Sequence, residues 1–181
     1  MNVPAIIAGI LVLGGCSGFV KPDYRIDSAV VGQQHAIQNI QVTIKEQNKA
    51  HVYNHCVWLS AQCYGEPYEE MRRELQNALG DALALNSKLV KKPMNLTVDV
   101  LKLQVEPGLR SKATAKMSYR LTDMQSGRDK FTTEIESEGN AFQVGFSHHE
   151  SLEQNQALNQ AVQNNLSTFV QQLQTQRILS F

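Results

Sequence analysis

The chain has no surplus of either charge, no apolar run long enough to cross a bilayer and few cysteines, and each shortage argues against a class of function. Lysine plus arginine and aspartate plus glutamate number 17 each, so a nucleic-acid binder working through bulk positive charge is not expected. The continuous apolar run at residues 3–13 falls well short of the about 20 residues that a spanning helix needs. No Gly-x-Ser-x-Gly elbow, phosphate loop, His-Glu-x-x-His helix or paired-carboxylate motif occurs, so no catalytic residue can be named and the expectation is a non-enzyme without a cofactor. Cysteine occurs three times, at Cys16, Cys56 and Cys63.

What is present begins at the front of the chain. The apolar run has the length of a secretory signal core, and small residues follow it where a cleavage enzyme needs room. Leu13-Gly14-Gly15-Cys16 resembles the bacterial lipobox, although Met1-Asn2 ahead of the run lacks the usual lysine or arginine. Glycines leave the backbone accessible to an enzyme groove, and the cysteine sulfur is the soft nucleophile that thioether formation requires. The resemblance implies that residues 1–15 are a signal peptide and that Cys16 carries acyl chains such as palmitate. Several such chains, at roughly 0.8 kcal/mol per buried methylene, hold a protein on a membrane. Ser17 after the cysteine resembles an outer-membrane sorting signal, which places the domain in the periplasm.

Residues 16–29 lack periodicity and read as a lipidated tether. A single domain is expected over residues 30–181, since 181 residues with 42% apolar content suit one core. Ile40, Val42 and Ile44 alternate with polar residues as in a half-buried strand. Pro67, Glu66, Glu69 and Glu70 suit a helix start, and Met71, Leu75, Ala78, Leu79 and Ala82 repeat at helical spacing towards Asn86. Between Asn95 and Val105 the strand alternation changes phase at residues 100 and 101, which one bulged residue would repair.

Two further strands flank the turn at Asp123–Gly127. Pairing Tyr119 with Phe131 sets Lys116 opposite Glu134 and Lys112 opposite Glu138, with both apolar sets on one face. Ser147 and Glu150 have capping-box spacing ahead of a long helix carrying Leu158, Val162, Leu166, Phe169, Val170 and Leu173 on one face. Its many glutamines and asparagines read as a neutral polar surface. The expected fold is α+β: an antiparallel sheet of about four strands with two amphipathic helices on one face, in the order β-α-β-β-β-α.

Export to an oxidising compartment would make Cys56 and Cys63 a disulfide. The competing zinc set of His51, His55, Cys56 and Cys63 matches no common ligand spacing, and no metal is expected. His148 and His149, at the predicted helix start, read as exposed capping-region residues rather than catalytic ones.

With the lipobox and element order in place, the chain resembles the YajG-type bacterial lipoproteins. The resemblance is clearest in Met94–Val100, in Ala113–Met117, in Glu138-Gly139-Asn140-Ala141-Phe142 and in Gln156–Val162. It implies an outer-membrane-anchored, periplasmic binding or scaffolding component of an envelope complex, with an envelope protein as partner besides the membrane. The alternative is a carrier of lipid or another hydrophobic ligand within an envelope transport system.

Overall fold

The structure, a computed structural model, describes residues 23–26, 37–44, 67–83, 93–106, 110–142 and 150–175. They form β1 (Ile37–Ile44), α1 (Pro67–Ala82), β2 (Met94–Glu106), β3 (Arg110–Asp123), β4 (Asp129–Phe142) and α2 (Glu150–Thr175). The strands make a four-stranded sheet in the order β1-β2-β3-β4. This is the α+β order that the hydrophobic periods predict.

The three long strands are antiparallel, whereas β1 lies parallel to β2. The parallel pair follows from the helix between them, since a strand-helix-strand connection returns the chain to the same end of the sheet. Gln76 of α1 fastens this unit: its side-chain amide donates to the Ile40 carbonyl of β1 at 2.6 Å. Glu69 sits in the first turn of α1 and pairs with Arg72 at 2.7 Å, complementing the positive helix end.

The phase change in β2 is a bulge. Val100 pairs with Met117 and Lys102 with Lys116, leaving Leu101 as the extra residue. Leu96, Val98 and Val100 before it and Leu103 after it are therefore buried on the same face.

The β3–β4 register corrects the sequence-based pairing by two residues. Tyr119 lies opposite Thr133, and Phe131 lies opposite Leu121. The connection is longer than the five turn residues suggest. The Asp123 N–H donates to the Arg128 carbonyl at 2.9 Å, and Lys130 is passed over between the Thr122–Asp129 and Leu121–Phe131 pairs. Gly127 adopts φ +67°, the left-handed conformation that glycine takes most easily. A two-residue slip keeps every side chain on its own face, so the apolar sets stay buried together. The expected ion pairs survive as diagonals: Lys116 meets Glu134 at 2.6 Å and Lys112 meets Glu138 at 2.8 Å.

One face of the sheet and the two helices enclose the core. The Tyr119 ring of β3 stacks on Phe169 of α2 with centroids 4.0 Å apart. Asn165, fully buried on α2, donates its amide to the carbonyls of Ala115 (3.0 Å) and Ile135 (2.9 Å) and accepts from the Tyr119 hydroxyl at 2.7 Å. Burial pushes the Tyr119 phenol well above its ordinary pKa. At Gly139 α2 lies against the β4 backbone: a methyl group there would overlap the Ala157 carbonyl and the Ala161 backbone nitrogen.

Candidate functional site

The face of the sheet away from the helices is polar from edge to edge. Register places Gln41, Thr97, Arg120 and Thr132 in one row, and Thr43, Asp99, Ser118 and Glu134 in the next. Across β1 and β2, the Asn39 side-chain amide donates to Asn95 Oδ1 at 2.8 Å. Charge is sorted by strand: β3 contributes Lys112, Lys116 and Arg120, and β4 contributes Glu134, Glu136 and Glu138. The hydrogen-bonded carboxylates beside them raise the pKa of Lys112 and of Lys116. This arrangement presents rows of hydrogen-bonding groups and charge ordered by strand.

The amide-rich face of α2 has a structural purpose that composition alone does not reveal. Residues 138 and 140 turn their backbone groups outward on the β4 edge, where no neighbouring strand pairs with them among the described residues. Asn164 donates to the Glu138 carbonyl at 2.8 Å, and Gln160 accepts from the Asn140 N–H at 2.7 Å. Side-chain amides thus finish one end of an edge strand, as a further strand would. Ser137 adds a bond to the Ala161 carbonyl at 2.8 Å. The spacing of Gln160 and Asn164, one helical turn apart, was visible in the sequence; their target was not.

The described part of the expected tether is held against the domain. Tyr24 is 3% exposed within the core cluster, and Gln163 of α2 donates to the Asp23 carbonyl at 2.8 Å. Burial, with Glu74 and Glu70 nearby, drives the Tyr24 phenol above its ordinary pKa. Hydrogen bonds from Arg25 lower the pKa of Asp23. Beside this strap lies a cleft of about 740 Å³ lined by Tyr24, Arg25, Glu74, Gln76, Asn77, Ala78, Gly80 and Asp81. Its charged and amide lining suits water and polar ligands better than an acyl chain.

Cys16, Cys56, Cys63, His51, His55, Ser147, His148 and His149 lie outside the described residues. Glu150 opens α2. Among the described residues no group of three or more His, Cys, Asp or Glu side chains could hold a metal ion, and no helix is long and apolar enough to cross a membrane.

The fold belongs to a known structural class. A Xanthomonas campestris protein of the DUF330 family shares it, with 10% sequence identity, coverage of 84% of this chain and 94% of that chain, and a TM-score of 0.51. A candidate lipoprotein from Caulobacter crescentus superposes with 13% identity, 82% and 95% coverage and a TM-score of 0.48. A minor lipoprotein from Acinetobacter baumannii does so with 9% identity, 77% and 92% coverage and a TM-score of 0.41. No family model matches the sequence, and no curated protein matches it. The YajG resemblance accordingly rests on the sequence patterns.

Proposed function

We propose that this chain is a YajG-type, non-enzymatic lipoprotein, anchored through acylated Cys16 to the outer membrane, whose periplasmic domain binds a protein partner of the envelope. The observation that carries the reading is Leu13-Gly14-Gly15-Cys16 at the end of a signal-length apolar run, only seven positions before Asp23 of the strap. At about 3.5 Å per residue, that leash spans at most roughly 25 Å, so the anchor keeps the domain close to the bilayer. The broad polar face of the sheet is the surface offered to a partner. The carrier alternative calls for an apolar cavity, and the described cleft beside Tyr24 is lined largely by charged and amide side chains.

Photo-crosslinking residues introduced at Gln41 and Arg120, both exposed on the open face, test the binding role in intact cells. One discrete, reproducible adduct with an envelope protein is expected. A smear or no adduct from either position, with the protein correctly located, would contradict it.

A further inference from the structure

We propose that the uncapped stretch of the β4 edge, Thr132 to Glu136, accepts an extended basic segment of a partner protein as an additional strand. The inference deepens the binding role and rests on it, but is independent of the lipid anchor. Because β4 pairs with β3 on one side only among the described residues, residues 132, 134 and 136 turn their backbone N–H and C=O groups outward, as 138 and 140 do. The last two are finished by Asn164 and Gln160. The others have no hydrogen-bond partner on that edge among the described residues.

The difference originates in α2. Positions 160, 164 and 168 share one helical face. Thr168, where a third amide would continue the row, instead donates its hydroxyl to the Asn164 carbonyl of its own helix at 2.8 Å. Among the described residues the cover therefore stops after two residues and leaves a strand-length template open.

Charge then selects the occupant. An added antiparallel strand would place its side chains directly opposite Thr132, Glu134 and Glu136 on the open face. Glu134 is tied to Lys116, whereas Glu136 makes no ion pair among the described residues. A second copy pairing through the same stretch would bring carboxylates against carboxylates, which is unfavourable in directly opposed positions. A strand with lysine or arginine at alternate positions meets both glutamates with opposite charge. Its intervening side chains would lie opposite Thr133 and Ile135, with Phe131 on the diagonal, at the margin of the core, so alternate apolar residues complete the pattern. The recognised segment reads basic-apolar-basic-apolar-threonine.

The test titrates the full chain with the acetylated, amidated peptide Thr-Lys-Val-Lys-Val-Thr and with its Glu-for-Lys counterpart, following backbone amide NMR shifts. Shifts centred on residues 132–136 with the lysine peptide are expected, with none from the glutamate peptide. Glu136→Lys should weaken binding about tenfold, the effect of reversing one or two cross-strand charge contacts. Thr168→Gln, placing a third amide over the edge, should weaken it without altering charge. Absence of shifts, shifts centred elsewhere, equal binding of both peptides, or a concentration-dependent dimer through this edge would overturn the proposal. Failure here with a discrete partner adduct at Gln41 or Arg120 would leave the binding role standing and remove only this edge.

Discussion

Asn165 is the residue whose replacement should disturb the fold most specifically. It is fully buried on α2 and makes three hydrogen bonds, two to strand carbonyls and one from the Tyr119 hydroxyl. Removing the side chain costs the carbonyl bonds only modestly, since Ala115 and Ile135 sit within paired strands. The Tyr119 hydroxyl fares worse, being left with the Met117 sulfur at 3.4 Å, a weak acceptor. At about 0.5–1.5 kcal/mol per lost bond and about 1–3 kcal/mol for a buried group left unpaired, Asn165→Ala should destabilise the domain by about 2–4 kcal/mol. Tyr119→Phe keeps the ring stack on Phe169 and strands only the Asn165 oxygen, a loss of about 1–2 kcal/mol. The double variant should cost less than the two single losses together by about 1–2 kcal/mol, because both remove the same bond. Urea unfolding followed by circular dichroism for the four proteins measures the cycle. Additivity to within about 0.5 kcal/mol would refute the bond and with it the way α2 is fastened to the sheet.

Other consequences follow from single contacts. Gly139→Ala should destabilise by about 1–3 kcal/mol or more, because the methyl meets helix backbone that cannot rotate away, and a denaturant midpoint reads it. Tyr24→Ala should cost about 3–5 kcal/mol if the strap belongs to the domain; deletion of residues 1–28 without loss of stability would show that it does not. Ser111→Ala should be neutral or mildly stabilising in the same assay, since its buried hydroxyl has no partner among the described residues. Burial raises the folded-state pKa of Tyr24 and Tyr119 above the ordinary value of 10.0, so the unfolded chain releases those protons first. Their neutral-state stability is intact below pH 10 and falls as pH rises beyond it, and their phenolate absorbance should appear together with loss of helical circular dichroism. Hydrogen bonds from the Ser126 and Gln125 amides hold the Asp123 carboxyl below its usual range, so the turn's contribution persists above the ordinary carboxylate pKa and is lost on acidification. Amide exchange at residues 124–128 should accelerate there relative to the strands.

Periodicity revealed the elements because it reports which side of each segment meets the core. Met71, Leu75 and Leu79 on α1, the alternation in β3 and the phase change at Leu101 all translate directly into burial. Register was harder. It depends on how many residues the β3–β4 connection consumes, and the Asp123–Arg128 bond and the extra residue at Lys130 consume more than turn composition suggests. Polar residues were hardest. Asn165 sits on the apolar face of α2, and Gln160 and Asn164 resemble solvated residues until the sheet edge lies beneath them. Tyr24 stands outside any periodic segment, so only tertiary packing discloses its role. The open face showed in the Lys and Glu alternation of β3 and β4, but alternation cannot distinguish a solvated face from a recognition surface.

The most direct test of the account is intact-mass analysis of the protein purified from bacterial membranes, alongside a Cys16→Ser variant. A chain beginning at Cys16 and heavier by its acyl groups, in the outer-membrane fraction, is the predicted result, with the variant unprocessed. An unmodified thiol at Cys16 on a chain recovered from the cytosol would contradict it.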